Sequence, residues 1–94
     1  MQTRTKKITV TRLADLAHPG VTCKGIESGR LNWESKKPGD LIAMFAAGGY
    51  DVINDGDGED SRSRLVKDQT GNIVAYIMWC ISVPDFACSF TSKV

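Results

Sequence analysis

Residues 61–80 read SRSRLVKDQTGNIVAYIMWC. Two strand-like runs, SRSRLVKD and NIVAYIMWC, flank the short link QTG, where Gly71 supplies the positive φ a tight connection needs. The pattern is a β-hairpin. Its second arm is rich enough in β-branched and aromatic residues to be a central strand buried on both faces. An isolated hairpin is marginal in water, so the neighbouring segments must supply more sheet and a cover for it.

On the C-terminal side, Pro84 ends the run, because proline removes a ladder donor. FACSFTS (86–92) then alternates Phe86, Cys88 and Phe90 against Ala87, Ser89 and Thr91, the pattern of a half-buried strand. On the N-terminal side, YDVIN (50–54) is a further strand, with Tyr50 and Val52 on one face. Before it, PGDLIAMFAAGG (38–49) reads as a helix. Pro38 suits its first turn, Asp40 complements the positive end of its dipole, and Leu41, Ile42, Met44 and Phe45 make a broad apolar face. Gly48-Gly49 offers the left-handed stop. The sum is a small α+β domain, with an antiparallel sheet of about four strands, mostly from residues 50–92, packed against a helix at about 38–47.

The first third is less regular. KKITVT (6–11) alternates as a short strand, and a short helix is expected at about 12–17, where Leu13, Leu16 and Ala17 share a face. HPG (18–20) stops it. Residues 21–37 carry no single pattern, although RLNWE (30–34) alternates as a strand with Leu31 and Trp33 on one side. Residues 1–5 read as a flexible basic tail on one domain spanning 1–94.

Charge is unevenly spread. The chain has a formal net charge of +1, but residues 1–37 carry +5, residues 38–60 carry −6 and residues 61–94 carry +2. The acidic middle contains NDGDGED (54–60). A helix-loop-helix calcium site needs glycine at position 6 and glutamate at position 12. A frame begun at Asp55 puts Asp60 and Val66 there instead. The stretch therefore reads as a turn between two strands. Its carboxylates, Asp55, Asp57, Glu59 and Asp60, are the candidate contacts to a protein partner, with Arg62 and Arg64 close by in sequence.

Catalytic and metal chemistry finds little support. The chain has one histidine, His18, and three cysteines, Cys23, Cys80 and Cys88. The spacings H-x4-C and C-x7-C are not those of zinc knuckles. Nucleotide fingerprints are missing, so no catalytic residue, metal or cofactor is expected. The longest apolar run, IVAYIMWCISV (73–83), is too short to cross a bilayer as a helix. An odd number of cysteines, with no apolar leader after Met1, points to a reducing cytoplasm.

CKGIESGRLNWESKKPG (23–39) interleaves bases with one aromatic. Lys24, Arg30, Lys36 and Lys37, with Lys6 and Lys7, are the candidate phosphate contacts of a nucleic-acid surface, and Trp33 is its candidate stacking face.

LADLAHPGV (13–21), IESGRLN (26–32) and DLIAMFAAGGYDV (40–52) together resemble the helix-turn-helix of phage-type repressors over about 40 residues. In that family a similar ESGR closes the recognition helix. Two features depart from it: only TCKGI lies between Val21 and Glu27, and residues 1–12 hold no counterpart of the family's first helix. No functional residue is carried over.

The expectation is a non-enzymatic cytoplasmic binding protein that acts on a macromolecule, foremost a protein. Small, motif-poor α+β chains of this kind are typical of phage and mobile-element accessory proteins, including inhibitors of host enzymes. The alternative is a DNA- or RNA-binding regulator that uses the basic N-terminal third. An exposed edge strand could also pair two copies into a homodimer.

Overall fold

A computed structural model describes residues 10–54, 62–80 and 82–92. Residues 6–9 of the strand expected at 6–11 and the acidic loop at 55–60 lie outside the described residues; Val10 and Thr11 are described and belong to no strand.

The hairpin of residues 61–80 is present as β4 (Ser63–Lys67) and β5 (Ile73–Cys80). Asp68 fixes its turn. The carboxylate accepts bonds from the Thr70 amide at 2.9 Å, the Thr70 hydroxyl at 2.6 Å and the Asn72 amide at 3.0 Å, and Gly71 has φ +91°. These bonds favour the ionised form and hold the Asp68 carboxyl below its usual range.

A second tight hairpin joins β1 (Val21–Glu27) to β2 (Arg30–Ser35). Its two loop residues, Ser28 and Gly29, both take positive φ, 53° and 77°. That is the primed turn whose twist matches that of paired strands. ESGR is therefore a hairpin turn, and the likeness to a helix-turn-helix does not extend to the structure. Residues 21–27, which showed no clear pattern, form an edge strand.

After β2 come α1 (Pro38–Ala47), β3 (Asp51–Asn54), then β4 and β5, and finally β6 (Val83–Thr91). The sheet is antiparallel with six strands rather than four, in the order β1-β2-β6-β5-β4-β3. The expected helix at 12–17 is reduced to a 3₁₀ turn, Leu13–Asp15, flanked by extended Arg12 and Leu16. Two turns of helix are too few to persist on propensity, and tertiary contacts instead draw this segment over α1. Thr11 donates its amide to the Gly48 carbonyl at 2.9 Å, and Tyr50 donates its hydroxyl to the Thr11 carbonyl at 2.8 Å. Leu16 is buried against Gly48, where an added Cβ would collide with its Cδ2.

α1 ends in a full Schellman motif. Gly49, at φ +96°, donates to the Ala46 carbonyl at 3.1 Å, and Tyr50 donates to the Phe45 carbonyl at 3.1 Å. The accompanying apolar contact is the Phe45–Tyr50 ring pair, with centroids 6.2 Å apart and nearly perpendicular planes. On its other side the Phe45 ring meets Trp33 edge-to-face at 5.3 Å. Each such pair adds about 0.5–1.5 kcal/mol beyond area burial.

The core lies between α1 and one face of the sheet. Leu41, Met44 and Phe45 from the helix meet Trp33, Val66, Ala75, Ile77 and Ala87 from the strands. On β6 the buried residues are the small ones, Ala87, Ser89 and Thr91, while Phe86 is exposed and Phe90 half-buried. Small side chains leave room for the Trp33 ring, directly opposite Ser89, and for the helix. β5 is central but is not buried on both faces: Ala75 and Ile77 are covered, Tyr76 is half-buried and Met78 is exposed. Among the described residues, one α-helix covers the sheet, and it covers a single face. None of their helices is long and apolar enough to cross a membrane.

Candidate functional site: the uncovered sheet face

Strand alternation sends every second residue to the face away from α1. The register aligns these residues in rows. Asn32 is opposite Phe90, Phe90 opposite Tyr76, Tyr76 opposite Leu65 and Leu65 opposite Ile53. One continuous row thus crosses five strands, and four of its five members are apolar or aromatic. Cys88 and Met78 are opposite each other one step along. Ile53 is 40% exposed, Met78 44% and Phe86 40%. A contiguous apolar patch of this kind marks an interaction surface more often than isolated exposed residues do.

The row has internal order. The Tyr76 and Phe90 rings stack with centroids 5.3 Å apart and planes 29° apart. The Arg30 guanidinium lies 5.5 Å from the Phe90 centroid and donates to the Thr91 carbonyl at 3.1 Å. The Asn32 side-chain amide donates to the Arg30 carbonyl at 2.8 Å. Charges of both signs surround the row. Lys24 lies 4.0 Å from Glu34 with both side chains well exposed, so this pair contributes little to stability. Asp51 and Lys67 are opposite each other at the far end. Burial, and secondarily the Glu34 charge, push the Cys88 thiol pKa up.

The two sheet edges are poorly suited to adding a strand. β1 is broken by a bulge between Cys23 and Gly25, where Lys24 has no partner on β2. β3 is only four residues long and begins with Asp51. Bulges, charge and shortness are the usual protections of an edge.

The basic residues singled out by sequence are dispersed. Trp33 is 1% exposed in the core, so its ring presents no face to a base. Lys24 and Arg30 belong to the uncovered face of β1 and β2. Lys36 and Lys37 follow the opposite end of β2, about 20 Å from Arg30 at the ordinary strand rise. There they line a cleft of about 540 Å³ together with the carboxylates Glu34, Asp40 and Asp85. Lys6, Lys7, Asp55, Asp57, Glu59 and Asp60 lie outside the described residues. His18 donates a ring N–H to the neighbouring Pro19 carbonyl at 2.7 Å. Among the described residues, no three His, Cys, Asp or Glu side chains sit together as a metal site.

Sequence reasoning overlooked Tyr76 as a surface residue because its strand read as buried on both faces, and it assigned Leu65 and Ile53 to neither face. A signal was available in the helix at 38–47, since one helix of about three turns, Pro38–Ala47 in the structure, cannot cover both faces of a sheet. Comparisons with known proteins find no matching family model, no matching curated protein and no matching solved structure.

Proposed function

We propose that the protein is a small binding module that acts without catalysis on a protein partner, through the uncovered face of its sheet. The observation that carries this reading is the row from Phe90 through Tyr76 and Leu65 to Ile53. An apolar centre with aromatic anchors and a rim of mixed charge has the composition of a protein–protein interface. A surface for nucleic acid would gather cations, whereas here Lys24, Arg30 and Lys67 alternate with Glu34 and Asp51. Such a module fits the accessory and inhibitor proteins of phages and mobile elements.

The test is capture from a lysate of the native host, with the wild-type chain and two variants run side by side. Leu65→Gln with Tyr76→Ser should release the retained proteins while the circular dichroism stays native. Lys36→Glu with Lys37→Glu should leave them bound. Retention that disappears with nuclease and with the lysine variant, but survives the face variant, would overturn the reading in favour of nucleic acid.

A further inference from the structure

We infer that the partner this face fits is a second copy of the same chain, stacked face to face about a two-fold axis that runs along the apolar row. The inference rests on the reading of the uncovered face as a protein-binding surface, and it names the occupant.

The charges choose the axis. A face-to-face pair of identical sheets needs its two-fold axis in the plane between them, and there are two simple choices. An axis parallel to the strands through the centre of the six-strand sheet, between β6 and β5, lays β2 over the partner's β4 and β1 over the partner's β3. Arg30 would then oppose Lys67, and Glu27 would oppose Asp51. Both contacts are repulsive.

An axis along the row lays each strand over its own copy, running the other way. Phe90, Tyr76, Leu65 and Ile53 then each meet their own counterparts, so apolar meets apolar at four of the row's five positions, and Asn32 meets Asn32. Residues one step to one side of the row meet residues one step to the other side. On β2 the residue of the row is Asn32, with Arg30 one step to one side and Glu34 one step to the other. Each Arg30 therefore faces the partner's Glu34, and the contact occurs twice, as in any isologous interface.

The local geometry permits this pairing. Facing sheets pack about 10 Å apart, a gap that an arginine and a glutamate bridge between them. Arg30 uses one guanidinium nitrogen on the Thr91 carbonyl, and the fork has further donors. Among the described residues, Glu34 is held within its own chain only by the exposed 4.0 Å contact to Lys24. The row spans roughly 20 Å at ordinary strand spacing, which places the buried area at the low end for specific interfaces. The charge pair sets the orientation of the two copies.

The experiment is sedimentation equilibrium across the micromolar range on the full chain and on two single charge reversals. Arg30→Glu sets two carboxylates against each other at both contacts, and Glu34→Arg sets two guanidinium groups against each other. Each variant alone should dimerise at least tenfold more weakly than wild type. An equimolar mixture of the two should regain wild-type association as a heterodimer, since both contacts are then between opposite charges. Regained association also shows that both variants are folded, so loss of structure cannot imitate the result. A wild-type dimer that neither reversal weakens, or reversals whose mixture stays monomeric, would overturn the inference. A chain that is monomeric throughout, yet loses its captured protein on Leu65→Gln with Tyr76→Ser, would overturn the second copy as occupant and leave the protein-binding reading standing.

Discussion

Ser89 sits under α1 with its hydroxyl fully buried and without a hydrogen-bond partner among the described residues. A buried hydroxyl that bonds to nothing keeps its desolvation cost and returns none of it. Its neighbour on the strand, Thr91, shows the satisfied alternative, accepting the Leu31 amide at 3.0 Å. Ser89→Ala is therefore expected to stabilise the fold by about 1 kcal/mol, measured as a higher urea midpoint with an unchanged slope. A lower midpoint would mean that the hydroxyl has a partner after all. The cysteines differ for a related reason. Cys23 is exposed, whereas Cys88 is half-buried and its thiol pKa is raised by burial and by Glu34. Only the thiolate reacts. At mildly alkaline pH iodoacetamide should modify Cys23 well before Cys88, with the order read by peptide mass spectrometry. Equal rates would contradict the burial of Cys88.

At the scale of elements, α1 was legible because each signal had one meaning: Pro38 at the start, Asp40 in the first turn and Gly49 at the stop. The left-handed stop gives a prediction. Gly49→Ala forces a Cβ onto φ +96° and should cost about 1–2 kcal/mol, or about 4–8 °C of melting temperature per kcal/mol in a domain this size. A melting temperature within a degree of wild type, followed by circular dichroism, would refute the Schellman assignment. The first hairpin was not legible, although Ser28-Gly29 is a turn signal. The bulge at Lys24 puts the apolar residues of β1 out of step, so the period-two pattern disappears just where the strand lies. β6 misleads in another way. Its aromatic residues face away from α1 and its small residues face inward, because the Trp33 and Phe45 rings already fill the space below the helix. Alternation identified the strand, but residue type alone does not identify its buried face.

For the whole molecule, neighbours in sequence are separated by the fold. Trp33 and Lys36 are three residues apart, yet one lies in the core and the other lines the cleft at the end of the strand. The basic third therefore does not act as one patch, and that part of the candidate site could not be read from charge spacing. Conversely Ile53, Leu65, Tyr76 and Phe90 are spread over 38 positions of the chain and are collected into one row by the register alone. The α+β class and the single cover of helix follow from local periodicity. The six-strand width depends on one long-range pairing, β2 with β6, which joins the first hairpin to strands that otherwise pair with their neighbours in sequence.

The sheet order also constrains how the chain is made. Among the described residues, β1 and β2, the first hairpin in chain order, connect to the rest of the sheet only through β6, the last strand. A ribosome delivers the hairpin long before it delivers the strand that anchors it. Until residues 83–91 have emerged, the edge of β2 that will pair with β6 has nothing to close on, so nascent chains stalled short of Thr91 should remain open to protease across the first hairpin. Completion is then a single late event, in which the insertion of β6 between β2 and β5 turns two separate half-sheets into one.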